Sequence, residues 1–231
     1  MTSMKERRLD YENLFTTMLI FLAILLLLGL VFHDYVADWF VDNTNHARAE
    51  KPVIYLYPEE ETDIHVRLAL DGDLTVSYPA YPDDGWNVTA TPDGTLTDDG
   101  GRTYDSLFWE AALDAEYDLS HGFCVAGKDT AAFLEETLAA LGLSEIEANA
   151  FIVYWLPRMQ ENPYNLITFQ TTAYTDAAEL DIEPAPDTVI RVFMVWQALD
   201  AELEIPEQIL PKATAREGFT VVEWGGTEIM G

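Results

Sequence analysis

"TDIHVRLAL", residues 62–70, places Ile64, Val66, Leu68 and Leu70 on one side of the chain and Asp63, His65 and Arg67 on the other. A period of two is that of extended chain with one face buried, so the stretch predicts a half-buried strand. Upstream, "KPVIYLYP" (51–58) predicts a short apolar strand from Val53 to Tyr57, stopped by Pro58. Downstream, Asp71-Gly72 has the composition of a tight turn, which predicts a hairpin into Leu74 to Tyr78. Trp86 to Thr91, the turn Pro92-Asp93-Gly94 and Tyr104 to Trp109 continue the rhythm. The first half therefore predicts a small antiparallel β unit, sandwich-like in character.

The pattern changes at "KDTAAFLEETLAALGL" (128–143). Asp129 or Thr130 can cap a helix whose apolar stripe is Phe133, Leu134, Leu138 and Leu141, and Gly142 can close it. Ser144 and Glu147 have the spacing of a capping box and predict a second, short helix. Apolar runs at Phe151 to Leu156, Leu166 to Phe169, Val189 to Trp196 and Phe219 to Trp224 read as strands. The expected class is α+β, dominated by strands. Val189 to Trp196 is nearly continuous in apolar character, which predicts a central strand covered on both faces. Arg191 within it then requires a carboxylate partner, since an isolated buried charge is too costly to keep, and Glu110 and Glu223 are the leading candidates.

Ahead of this domain, the run from Leu14 to Phe32 contains no charged residue. At about 1.5 Å per residue it matches the roughly 30 Å hydrocarbon core of a bilayer. Its polar side chains, Thr16 and Thr17, lie near the start, so it lacks the polar face of a soluble helix. It is longer than a signal-peptide core, and the small-x-small triplet Ala47-Arg48-Ala49 lies well beyond it. Lys5, Arg7 and Arg8 precede the run, whereas the first lysine or arginine after it is Arg48. The expectation is a cytoplasmic tail (1–13), a transmembrane helix in the lipid bilayer (14–32), a juxtamembrane connector (33–50) and an extracytoplasmic domain (51–231).

The chain carries 41 acidic and 12 basic residues; from residue 51 onward the counts are 34 and 8, a net charge of -26. Such a field repels polyanions, which argues against a nucleic-acid partner. Cys124 is the single cysteine, so stability has to come from packing without an intrachain disulfide.

The segments "KPVIYLYP", "LFWE" (107–110), "FIVYWLPRMQENPYN" (151–165), "PDTVIRVFM" (186–194) and "GFTVVEWGG" (218–226) resemble those of a group of uncharacterised bacterial proteins. The resemblance covers most of residues 51–231 and implies one coherent domain. It brings no activity and no site residues with it.

Glu110 and Glu223 each sit beside a tryptophan at the end of an apolar strand. Two carboxyls in unlike environments are what glycoside hydrolysis requires, and Trp109 and Trp224 offer rings for a sugar. The plainer account is structural, with at least one of the glutamates answering Arg191. Asn162, Tyr164 and Asn165, in "RMQENPYN" (158–165), are ligand-contact candidates on a loop expected between two strands. Asp71, Asp73, Asp98 and Asp99 could donate oxygens to calcium, although Asp-Gly is also what tight turns use. His121 and Cys124 suggest a thiol nucleophile less well than a small buried cysteine. No nucleotide-binding loop, nucleophile elbow or zinc signature is present in the sequence. The reading is a membrane-anchored, extracytoplasmic binding or scaffolding module, with an envelope glycan or a protein as partner. The alternative is an anchored hydrolase of envelope polysaccharide.

Overall fold

The structure, a computed structural model, describes residues 47–229. The predicted tail, the predicted transmembrane helix at 14–32 and the connector up to residue 46 lie outside the described residues. Among those that are described, no helix is long and apolar enough to cross a membrane.

The elements in chain order begin with β1 (Ala47–Tyr57), β2 (Thr62–Leu70), β3 (Gly72–Tyr78), β4 (Trp86–Ala90), β5 (Leu96–Asp98), β6 (Thr103–Tyr104), β7 (Leu107–Leu113) and β8 (Phe123–Ala126). Two helices follow, α1 (Thr130–Ala140) and α2 (Glu145–Met159). Then come β9 (Tyr164–Phe169), α3 (Thr171–Ala177), β10 (Ala178–Glu183), β11 (Thr188–Leu199) and β12 (Thr220–Glu228). The result is a strand-dominated α+β domain.

Its strands form a seven-stranded sheet of order β3-β7-β1-β12-β11-β9-β8 and a five-stranded sheet of order β10-β2-β4-β5-β6. Alternation along the strands of the larger sheet sends its side chains into two cores. Trp109, Phe193 and Val195 meet Ile64, Val66 and Trp86 of the smaller sheet, with Tyr174 of α3 among them. On the opposite face, Val192, Met194, Trp196 and Trp224 meet Phe151, Trp155 and Met159 of α2 and Leu134 and Leu138 of α1. The layers are therefore sheet, sheet and helices. From Val192 to Trp196 β11 is buried throughout, as expected of a strand covered on both faces.

Three sequence expectations are corrected. Leu74 to Tyr78 is a strand, but β2 and β3 do not form a hairpin: β2 pairs with β10 and β4, whereas β3 pairs with β7 in the other sheet. Asp71 marks the crossing, since its N–H donates to Ala177 O and its carbonyl accepts from Asp114 N. The first half accordingly does not form its own β unit; its strands are divided between sheets that also take strands from the second half. Finally, Phe151 to Leu156 is helical and lies inside α2.

The capping box explains why that last segment is a helix. Ser144 Oγ accepts from Glu147 N at 3.4 Å, while Glu147 Oε2 accepts from Ser144 N at 2.7 Å. Once the chain starts helically there, Ala148, Phe151, Trp155 and Met159 fall on one buried stripe at intervals of three and four. Val153, between two of them, is 65% exposed.

β11 and β12 are parallel, so the chain must cross the domain between them. It does so through residues 200–219, a strap without helix or regular strand up to Phe219. The Gln208 side chain holds the strap to β9, accepting from Phe169 N at 2.8 Å and donating to Phe169 O at 2.7 Å. Arg216, farther along, donates to both Glu147 oxygens, at 3.1 and 2.5 Å, and to Gly142 O at 2.8 Å.

Candidate functional site

The parity of β7 separates the two glutamates singled out by sequence. Leu107, Trp109, Ala111 and Leu113 point into the core between the sheets, which leaves Glu110 on the helix side with Phe108. Glu223 points the other way. Its Oε1 accepts from Trp109 Nε1 at 3.1 Å and its Oε2 accepts from Arg191 Nε at 2.6 Å. The two carboxyls thus lie on opposite faces of the seven-stranded sheet, and no substrate group can sit between them.

Glu223 and Trp109 are fully buried and the Arg191 side chain is 8% exposed. Tyr174 lies under the guanidinium, with its ring centre 4.7 Å from Arg191 Cζ, and stacks on Phe193 at 4.0 Å. Burial works against the Arg191 charge, but the charge of Glu223, the hydrogen bond to it and the neighbouring Tyr174 together outweigh that effect and hold the group above its ordinary pKa. Chemically this is a closed structural ion pair. Trp224, also buried, packs edge-to-face on Phe151 and presents no ring for a ligand.

Glu110 instead answers an irregularity in β1. Lys51 has φ +59° at a β-bulge, and its N–H donates to Glu110 Oε1 at 3.4 Å; Arg48 Nη2 lies 3.9 Å from the other carboxyl oxygen. The "RMQENPYN" candidates are similarly engaged within the fold. Arg158 and Met159 end α2, Tyr164 and Asn165 begin β9, and Asn165 is fully buried. Asn165 Nδ2 donates to Thr130 Oγ1 and Met159 O, and its Oδ1 accepts from Asn162 Nδ2 at 2.8 Å. This network ties α1, α2 and β9 together.

The aspartates are placed in two distant settings. Asp71 and Asp73 flank the crossing between sheets, whereas Asp98 and Asp99 begin the β5–β6 turn. The Asp98 carboxyl accepts from Arg102 N at 2.9 Å and from Tyr104 Oη at 2.8 Å, and these bonds hold it below its ordinary pKa. Among the described residues, no three His, Cys, Asp or Glu side chains converge closely enough to hold a metal ion.

A groove of about 960 Å³ opens elsewhere, between β8, α1 and the strap. Phe123, Val125, Phe133, Leu203, Ile205 and Leu210 supply its apolar lining. Glu136, Glu202, Glu204 and Glu207, all exposed, supply its charge. β8 is the edge strand of its sheet, and Cys124 lies on the groove wall, where its sulfur accepts from Leu203 N at 3.2 Å. The expectation of a buried Cys124 is corrected: the residue is half-buried, because β8 is an edge strand whose outer side opens on the groove. The sequence offered Phe133 as part of a helix stripe and gave no reading of the groove glutamates or the strap. The signal was the segment "AELEIPEQIL" (201–210), where glutamates alternate with apolar residues without the glycines of an ordinary loop.

No family model matches the chain, and no solved structure matches it. A relative from Butyrivibrio fibrisolvens, described as "Uncharacterized protein in bglA 3'region", is 53% identical over 62 residues. The match covers 26% of this chain and 64% of the relative's length. It agrees with the resemblance to uncharacterised bacterial proteins seen in the sequence motifs.

Proposed function

We propose that the chain is a single-pass, membrane-anchored binding or scaffolding module that presents its acidic α+β domain outside the cytoplasm. The groove between β8, α1 and the strap carries this reading, because it combines apolar side chains accessible to a partner with polar groups at its border. The anchor rests on the uncharged run 14–32 and the basic residues Lys5, Arg7 and Arg8 before it. The alternative, hydrolysis of an envelope polysaccharide, needs two carboxyls about 5–10 Å apart across one glycosidic bond. Glu110 and Glu223 face opposite sides of a sheet, and Glu223 is closed to solvent.

The test is site-specific photo-crosslinking of the full chain in its native cells. A benzophenone side chain replaces Phe133 in the groove or, as a control, exposed Asp84 in the turn before β4. A binding module gives a discrete adduct from position 133, in the membrane fraction, and none from position 84. Equal labelling at both positions, or none at 133, overturns the reading. A reporter fused after Gly231 tests orientation separately; activity on the cytoplasmic side removes the extracytoplasmic assignment.

A further inference from the structure

We propose that the occupant of the groove is a basic, amphipathic peptide segment of a partner protein, bound in extended form along the β8 edge. The inference rests on the binding-module reading and adds the class of the partner.

Three observations lead to it. First, the four groove glutamates form no ion pair among the described residues, whereas other carboxylates of the domain, including Glu50, Glu147, Glu223 and Glu228, are paired with arginines. An uncompensated acidic border beside an apolar lining is complementary to lysines or arginines interspersed with apolar side chains. Second, the carboxylates are spread along the groove. They do not converge as metal ligands do, so an extended series of cations fits them better than one divalent ion.

Third, the register of β8 leaves backbone groups on the groove wall. Phe123 and Val125 oppose Ile167 and Asn165 of β9, and the same register continues to Gly127, whose N–H donates to Pro163 O. Odd-numbered residues therefore bond toward β9, and even-numbered ones point their backbone groups outward. Gly122 N–H, on that outward side, donates to Pro206 O of the strap. Cys124 N–H and C=O point the same way and have no backbone partner among the described residues. The next outward carbonyl, Ala126 O, accepts from Thr130 Oγ1, so Cys124 is the position at which a peptide backbone can pair with the edge, and the apolar lining of the groove beside it receives the peptide's apolar side chains.

A net charge of -26 over residues 51–231 attracts any cation to some extent, so the test has to separate the groove from the general field. The full chain in detergent micelles is titrated against a library of fluorescent ten-residue peptides in which lysine and valine positions are permuted. Lysine-serine peptides of equal charge, glutamate-valine peptides and spermidine serve as comparisons. The expected result is saturable binding of a subset of lysine-valine peptides, with lysine-serine peptides of the same charge and spermidine each weaker by at least about tenfold. Glu202→Gln/Glu204→Gln/Glu207→Gln and, separately, Phe133→Ser weaken binding by about tenfold or more. Glu59→Gln/Glu60→Gln/Glu61→Gln, an equal charge change outside the groove, weakens it by no more than about twofold.

Equal loss in the two triple variants, or lysine-serine peptides binding as tightly as lysine-valine ones, would reduce the effect to bulk charge and overturn the proposal. So would the absence of saturable binding by any lysine-valine peptide. In that case a discrete photo-adduct at position 133 would retain the binding module and reject only the basic-peptide partner. Loss of both signals rejects the module itself.

Discussion

Arg191 and Glu223 stand opposite each other on the parallel strands β11 and β12, and Arg191 Nε donates to Glu223 Oε2 at 2.6 Å inside the core between the sheets. The pair fixes a register: a slip of one residue by either strand would carry that strand's charge to the other face, among the apolar side chains under α2, and leave its partner buried and unpaired.

Glu223→Gln should therefore destabilise the domain strongly. The amide can still accept from Trp109, but the guanidinium loses its counter-charge where water cannot replace it. The expected cost is about 3–5 kcal/mol, read as a lower urea midpoint at unchanged m-value. Arg191→Met/Glu223→Leu, which removes both charges, should recover a large part of that loss. A double variant no better than Glu223→Gln would show that the damage comes from packing. Groove binding, measured well below the unfolding transition, should be unaffected by Glu223→Gln.

The second buried acid gives a pH signature. Glu147 has a 1% exposed side chain, and burial raises its pKa; bonds from Arg216 and from Ser144 N more than reverse this, leaving it below the ordinary 4.5. Between those values the unfolded chain binds the proton and the folded chain does not, so stability is present above about pH 4.5 and falls as pH drops through the folded value. Arg216→Ala leaves burial dominant and should raise the folded pKa above its unfolded value. The variant is then less stable at neutral pH by about 2–4 kcal/mol, and its deficit shrinks on acidification. Melting temperatures of both proteins from pH 7 to pH 3 check this. A deficit that does not vary with pH would assign Arg216 to strap packing alone.

Phe151 and Val153 provide a test of helix against strand. In a strand they would share a face; in α2 Phe151 is fully buried while Val153 is 65% exposed. Phe151→Ala should cost about 3–5 kcal/mol, whereas Val153→Asp should change stability by about 0.5 kcal/mol or less. Chemical unfolding of the two variants measures both. Comparable large losses would return the segment to an extended reading.

That segment shows where sequence legibility ended. Local signals were readable: the alternation from Thr62 to Leu70 corresponds to β2, Thr130 begins α1, and Ser144 with Glu147 starts α2. The run "FIVYWL" is apolar and aromatic enough for either state, and the capping box upstream selects the helix. The hairpin at Asp71-Gly72 failed for a different reason. A tight turn specifies a change of direction but not which sheet receives the next strand, and β3 is received by β7. The glycine pair of "VVEWGG" also became intelligible only in three dimensions. A Cβ at Gly226 would lie 2.6 Å from Met194 O and 2.9 Å from Trp155, and one at Gly225 would press on Pro52 at 3.1 Å. Parity along β7, which separates Glu110 from Glu223, was present in the sequence. Its meaning required knowing that both faces of that sheet are covered. The groove was least legible, because its walls come from β8, α1 and the strap, which are distant in sequence.

Gln208 links the fold to that groove. Its amide bonds both backbone groups of Phe169, occupying the edge of β9 as a strand residue would and fixing the strap two residues before Leu210. Gln208→Ala removes both bonds and leaves the backbone of a residue that is 4% exposed with no replacement partner. The expected loss is about 1–3 kcal/mol of local stability. It should appear as faster amide exchange at Phe169 and through residues 203–210, while the Val192 to Trp196 core keeps its protection. Because Leu203, Ile205 and Leu210 line the groove, a looser strap must be reordered when a ligand binds, and affinity for lysine-valine peptides should fall by about three- to tenfold. Faster exchange with unchanged affinity would place the peptide contacts on β8 and α1 alone; unchanged exchange would show that the Gln208 bridge does not hold the strap.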